Sequence, residues 1–105
     1  MEARDMRLGT TPKHTFTFPF ETDIIQELKI TYAQKNKMVL EKRLADCEIK
    51  TNSVSCTLTQ EETFNFESGV NVEVQVRVLT TGGEALASGI QIITAERCLD
   101  REVLK

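Results

Sequence analysis

The stretch VNVEVQVRVL, residues 70–79, constrains this chain more than any other. Val70, Val72, Val74, Val76 and Val78 fall on one side of an extended backbone, and Asn71, Glu73, Gln75 and Arg77 fall on the other. Side chains alternate faces along a strand, and β-branched residues suit that pleated surface better than a helix. Five valines in unbroken alternation therefore predict a central strand with one face in a core.

The rest of the chain offers partners of the same kind. TPKHTFTFPF, residues 11–20, puts His14, Phe16 and Phe18 on one face and Thr15 and Thr17 on the other. Pro12 and Pro19 flank it and cannot donate ladder hydrogen bonds, which favours an edge strand or strand ends. Residues 27–34 alternate, with Leu28, Ile30 and Tyr32 on one side, and residues 38–44 return after a turn at 35–37. Between them and the first strand, Asp23 and Gln26 have the spacing of a capping box and predict a single helical turn. A second hairpin is expected at 47–50 and 53–59. If Thr51 and Asn52 form its turn, Ile49 faces Val54 and Cys47 faces Cys56. The last strand is expected through 86–96, with Ile90, Ile92 and Thr94 in phase and Gly89 marking a bulge. Thr59 and Glu62 form a second capping box, so a short helix is expected near 60–65, carrying Phe64 or Phe66 over an open end of the core.

These signals predict an all-β fold: an antiparallel β-sandwich, immunoglobulin-like, of about seven strands with one short helix. A small barrel is the alternative. The domain spans residues 10–96, between a flexible arm at 1–9 and a tail at 97–105 that is polar, mixed in charge and open to a helical reading. The chain has 105 residues, enough for one core.

Composition then excludes several functions. A net charge of −3 argues against an electrostatic nucleic-acid binder. No apolar run approaches the roughly 18 residues of a membrane span, and the charged start MEARDMRL lacks a signal-peptide core, so synthesis and residence in the cytoplasm are expected. Three cysteines are too few and too scattered for a zinc knuckle with the lone His14, and free thiols are the default reading. Whether Cys47 and Cys56 bridge stays open. No cofactor or metal is expected. His14 is the single candidate base for nucleophilic catalysis, and a strand histidine at the core rim is the simpler account, so no enzyme is expected. Glu61 and Glu62 read as a capped helix start rather than an acid/base pair, because adjacent helical residues do not face one site. One Tyr and no Trp speak against a sugar-stacking platform.

The runs GTTPKHTFTFPF at 9–20, ITYAQ at 30–34, LTQEETFNF at 58–66, VEVQVRVLTTGGEALAS at 72–88 and ERCL at 96–99 resemble a family of small proteins encoded in prophages of Gram-positive bacteria. The chain is similar, more distantly, to the N-terminal domain of siphophage baseplate upper proteins. The resemblance implies a non-enzymatic structural or assembly module of a phage tail or baseplate, found in the virion after synthesis. It would act through contacts with other phage structural proteins or as a homo-oligomer, without nucleic acid or membrane. A glycan-recognising, adhesin-like module is the alternative. The interaction surface is expected at Pro12, His14 and Phe20 on the first strand and at Leu99, Val103 and Leu104 in the tail.

Overall fold

A computed structural model of the chain describes residues 5–105. Among these are nine strands: β1 (Asp5–Arg7), β2 (Lys13–Thr17), β3 (Ile25–Gln34), β4 (Lys37–Arg43), β5 (Glu48–Ile49), β6 (Ser53–Thr57), β7 (Asn71–Thr80), β8 (Ala85–Ala87) and β9 (Gln91–Glu96), with one short helix, α1 (Gln60–Thr63). Two sheets stack as an immunoglobulin-like β-sandwich. The larger runs β1-β9-β7-β3-β4, with β8 also on β7, and the smaller runs β2-β6-β5.

The valine strand is central, as its pattern demands. β7 pairs with β3 on one side and with β8 and β9 on the other. Val72, Val74, Val76 and Val78 are buried, as are Leu28, Ile30 and Tyr32 on β3. Phe16, Val54, Cys56 and Leu58 face them from the smaller sheet side. Burying a valine contributes about 1.5–3 kcal/mol, so the inner faces of β3 and β7 hold much of the stability. β2 pairs with β6 alone and is an edge, as its flanking prolines suggest. The turn after β3 uses positive φ at Lys35 and Asn36, the geometry of a tight hairpin. Thr59 and Glu62 form the expected capping box, and Phe66 is buried behind the helix.

Four expectations change. First, part of the expected 1–9 arm is a strand: Asp5–Arg7 lies parallel to β9, so the sandwich is mixed rather than purely antiparallel. Met6 and Leu8 point into the core, and this burial ties the segment down. Residues 1–4 of that arm lie outside the described residues. Gly9 then turns the chain at φ +81, and its N–H donates to Thr63 Oγ1 at 2.8 Å. A Cβ there would sit 2.9 Å from Phe64 Cζ, so both conformation and space require glycine.

Second, the last strand breaks in two. Arg77 pairs with Ala87 and Val74 with Gln91, so β7 advances three residues while its partner advances four. The extra residue at Ser88–Ile90 is a bulge beside Gly89, and one inserted residue swaps the faces of everything after it. Leu86 therefore sits opposite Val78, but Ile93 and Ala95 enter the core while Ile90 and Ile92 are exposed. Third, the tail after β9 is not helical. Leu104 exchanges two 2.9 Å hydrogen bonds with the Gln60 side chain, and the Arg101 guanidinium lies 4.7 Å over the Phe64 ring. Fourth, Thr22–Ile24 forms a single 3-10 turn without the expected Asp23 cap. Thr22 instead bonds to the carbonyls of Lys50 and Thr51.

Candidate functional site

Three polar side chains meet between the two sheets. Tyr32 projects from β3 across the core and is fully buried. His14 on β2 and Cys56 on β6 are direct cross-strand partners, so they present side by side to the tyrosine. The Tyr32 hydroxyl lies 2.6 Å from His14 Nδ1 and 3.3 Å from Cys56 Sγ. A phenol has one proton, and imidazole nitrogen is a far better acceptor than a thiol. The hydroxyl therefore donates to Nδ1 and accepts from the thiol. Phe66 meets the tyrosine ring edge-on at 6.0 Å.

Cys47 stands beside this seam. Lys50 N–H donates to the Ser53 carbonyl at 2.9 Å, which closes the hairpin as a hydrogen-bonded pair. Ile49 then faces Val54 and Glu48 faces Ser55, the register that the two-residue turn at 51–52 predicts. The ladder ends at Glu48–Ser55, and one step further along the same extended backbone Cys47 comes level with Cys56. Bonded and non-bonded positions alternate in an antiparallel ladder, so this position is a non-hydrogen-bonded one. In a regular ladder the Cα atoms at such a position lie about 4.5 Å apart. Cys47 is half-buried against the core and keeps an extended backbone, and its thiol is turned to donate to the Arg43 carbonyl at 3.2 Å. All three cysteines are free thiols.

The end of the seam is closed by an ion pair. Lys42 points inward from β4, and its Nζ reaches both Glu62 oxygens at 2.9 and 2.8 Å. Glu62 Oε1 also accepts from Thr59 N–H at 2.9 Å, so one carboxylate caps α1 and neutralises the buried lysine. Burial alone would raise the Glu62 carboxyl, but the Lys42 and Thr59 hydrogen bonds outweigh it and hold it below the usual range. Burial lowers His14. Burial, then the neighbouring Cys56, raises Tyr32 well above an ordinary phenol. Burial, then the charge of Cys56, pushes Cys47 up to about 11. Burial also raises Cys56. Around neutral pH the seam is thus an uncharged phenol, imidazole and thiol pair, flanked by one ion pair.

His14, the single candidate base, meets Cys56 only through a third side chain. Tyr32 stands between the two, so His14 Nδ1 is engaged and does not touch the thiol. Among the described residues, no group of three or more His, Cys, Asp and Glu side chains is placed to hold one metal ion. The expected surface residues are spread apart. Pro12 accepts from Leu58 N–H just before α1, Leu104 reaches α1 from the tail, and Val103 beside it is half-buried, whereas Leu99 is 89% exposed. Phe20 lies past the opposite end of β2, stacked on Phe18 at 5.1 Å. There Phe16, Phe18, Phe20, Val76, Val78 and Leu86 line an open groove of about 290 Å³ between the edges of the two sheets. The sequence pattern alone does not single out Tyr32, Lys42 or the charge role of Glu62. A lone tyrosine on the buried face of a strand was the available signal, because a buried hydroxyl needs a partner.

No family model and no curated protein matches the chain. Among solved structures, CopC from Methylosinus trichosporium OB3b is similar, with a TM-score of 0.59 and 15% identity, covering 94% of this chain and 89% of that one. At this identity the likeness is one of fold. It corrects the assignment drawn from the prophage resemblance: the structural likeness followed over nearly the whole length is to CopC, and nothing in the comparisons supports a tail or baseplate role. The glycan alternative falls as well. Tyr32, Phe16 and Phe66 are buried, and Phe18, Phe20 and Phe64 are half-buried against the core, which leaves no exposed aromatic platform.

Proposed function

We propose that this chain is a non-enzymatic binding module that holds one soft monovalent metal ion of the Cu(I) class between the thiolates of Cys47 and Cys56. The observation that carries the reading is the β5–β6 register, which runs to Glu48–Ser55 and, extended by one step, brings Cys47 level with Cys56 at a non-hydrogen-bonded position. Thiolate donors select soft ions, and Cu(I) is satisfied by two of them. A structural zinc ion asks for four ligands, and no such group supports it among the described residues. Turning Cys47 toward Cys56 gives up one weak thiol hydrogen bond to Arg43. Binding releases both thiol protons, and Lys42, close enough to influence both thiols, favours the negative charge they acquire.

The test is an anaerobic titration with Cu(I) against a chromophoric competitor. One equivalent should bind to the wild-type chain and to Cys98→Ser. Binding should be lost in Cys47→Ser and Cys56→Ser, with circular dichroism confirming that each variant is folded. Equal binding by the folded Cys47→Ser variant would refute the seat.

A further inference from the structure

The pairing of β5 with β6 has a second chemical consequence, independent of any metal. A cross-strand disulfide needs Cα atoms about 4.4–6.8 Å apart, and non-hydrogen-bonded antiparallel pairs lie at the lower end of that range. We infer that Cys47 and Cys56 are a reversible redox pair, with Cys47 the attacking thiol and Cys56 the resolving one, oxidised by a small-molecule disulfide of the glutathione class.

Exposure sets the order. Cys47 is half-buried at the margin of the smaller sheet, whereas Cys56 is 1% exposed beneath Tyr32. The oxidant therefore meets Cys47 first. The Cys47 thiolate attacks one sulfur of the oxidant RSSR, the new bond is Cys47–S–SR, and RS⁻ leaves and takes up a proton. The Cys56 thiolate then attacks Cys47 Sγ, forming the intramolecular bond and expelling the second RS⁻. Two electrons pass from the cysteines to the oxidant, and the two thiol protons end on two molecules of RSH. Cys98 is excluded from the exchange by its place: its thiol packs at Gly9, at the far end of β9, and donates to the Asp100 carbonyl. If the metal reading holds, the disulfide and the bound ion exclude each other, because oxidation consumes both donors. The redox pair itself rests on the strand register alone.

The sequence makes the test direct. Trypsin cuts after Arg43, Lys50 and Arg77, which separates Cys47 in peptide 44–50 from Cys56 in peptide 51–77 and from Cys98. The reduced, metal-free full-length chain is treated with oxidised glutathione and analysed without reduction. The expected result is a monomer lighter by two hydrogens, a titratable thiol count falling from three to one, and a linked 44–50/51–77 peptide pair. Cys56→Ser should stop at a glutathione adduct on Cys47. Any of three results would overturn the inference: a stable glutathione adduct on wild-type Cys47, a linkage through Cys98, or three thiols unchanged. Each is read without metal, so failure here is distinct from failure of Cu(I) binding.

Discussion

Replacing Tyr32 by phenylalanine removes one oxygen from the centre of the molecule and leaves the ring against Phe66. That oxygen serves two partners, His14 Nδ1 at 2.6 Å and Cys56 Sγ at 3.3 Å. A buried acceptor left without its donor costs about 1–3 kcal/mol. His14 is only half-buried and recovers part of this from water, and the thiol is a weak donor, so a net loss of about 1.5 kcal/mol is expected. For a domain of this size that lowers Tm by roughly 6–12 °C. Urea unfolding followed by far-ultraviolet circular dichroism measures the loss, with an unchanged m-value showing that the same surface is exposed. A cycle with His14→Leu isolates the pair, and coupling of about 1 kcal/mol is expected between residues in direct contact. A loss below about 0.5 kcal/mol, or strict additivity of the two substitutions, would show that the seam is not an energetic unit.

Three further outcomes follow from the same geometry. Burial lowers the His14 pKa, so the unfolded chain takes up a proton near pH 6.5 before the folded one does, and this contribution to stability is present above that pH and lost as the pH falls through it; the urea midpoint should drop between pH 7 and about 5, and less steeply in His14→Gln. Gly9→Ala forces a Cβ within 2.9 Å of Phe64 Cζ at φ +81, and a loss of about 2 kcal/mol or more is expected in the same unfolding assay; a neutral result would remove the claim that Gly9 pins the first strand to α1. Gly89→Ala meets nothing within 4 Å and should be neutral to within about 0.5 kcal/mol, whereas deleting Gly89 removes the bulge residue and turns Ile93 and Ala95 out of the core. Loss of a cooperative transition in the deletion alone is the expected pattern, and a cooperative deletion variant would contradict the bulge.

What could be read in advance was what repeats locally. The valines of β7 and the Leu28–Ile30–Tyr32 face of β3 obey a period of two, and burial on one side follows from it. The Ile49–Val54 register of the second hairpin was legible because a two-residue turn leaves a hairpin no freedom to slip, although the ladder ends one step short of Cys47. The phase of β9 was not, since a bulge near Gly89 is suggested by the glycine but its face-swapping insertion is not sized by it. β1 was missed because its three residues pair with a strand nearly the whole chain away. The seam of Tyr32 with His14 and Cys56 depends on how one sheet is laid on the other, which no strand encodes by itself. The functional assignment failed for a related reason. LTQEET holds the capping box of α1 and VEVQVR the central strand, so these motifs report folding requirements that unrelated proteins share.

The proposed function places one Cu(I) ion between Cys47 and Cys56. X-ray absorption at the copper edge, on the chain loaded anaerobically with one equivalent of Cu(I), tests it most directly. Two sulfur neighbours and no nitrogen neighbour are expected in the wild-type chain and in Cys98→Ser, with one sulfur lost in Cys47→Ser. A spectrum dominated by nitrogen or oxygen donors, or one unchanged by Cys47→Ser, would contradict it.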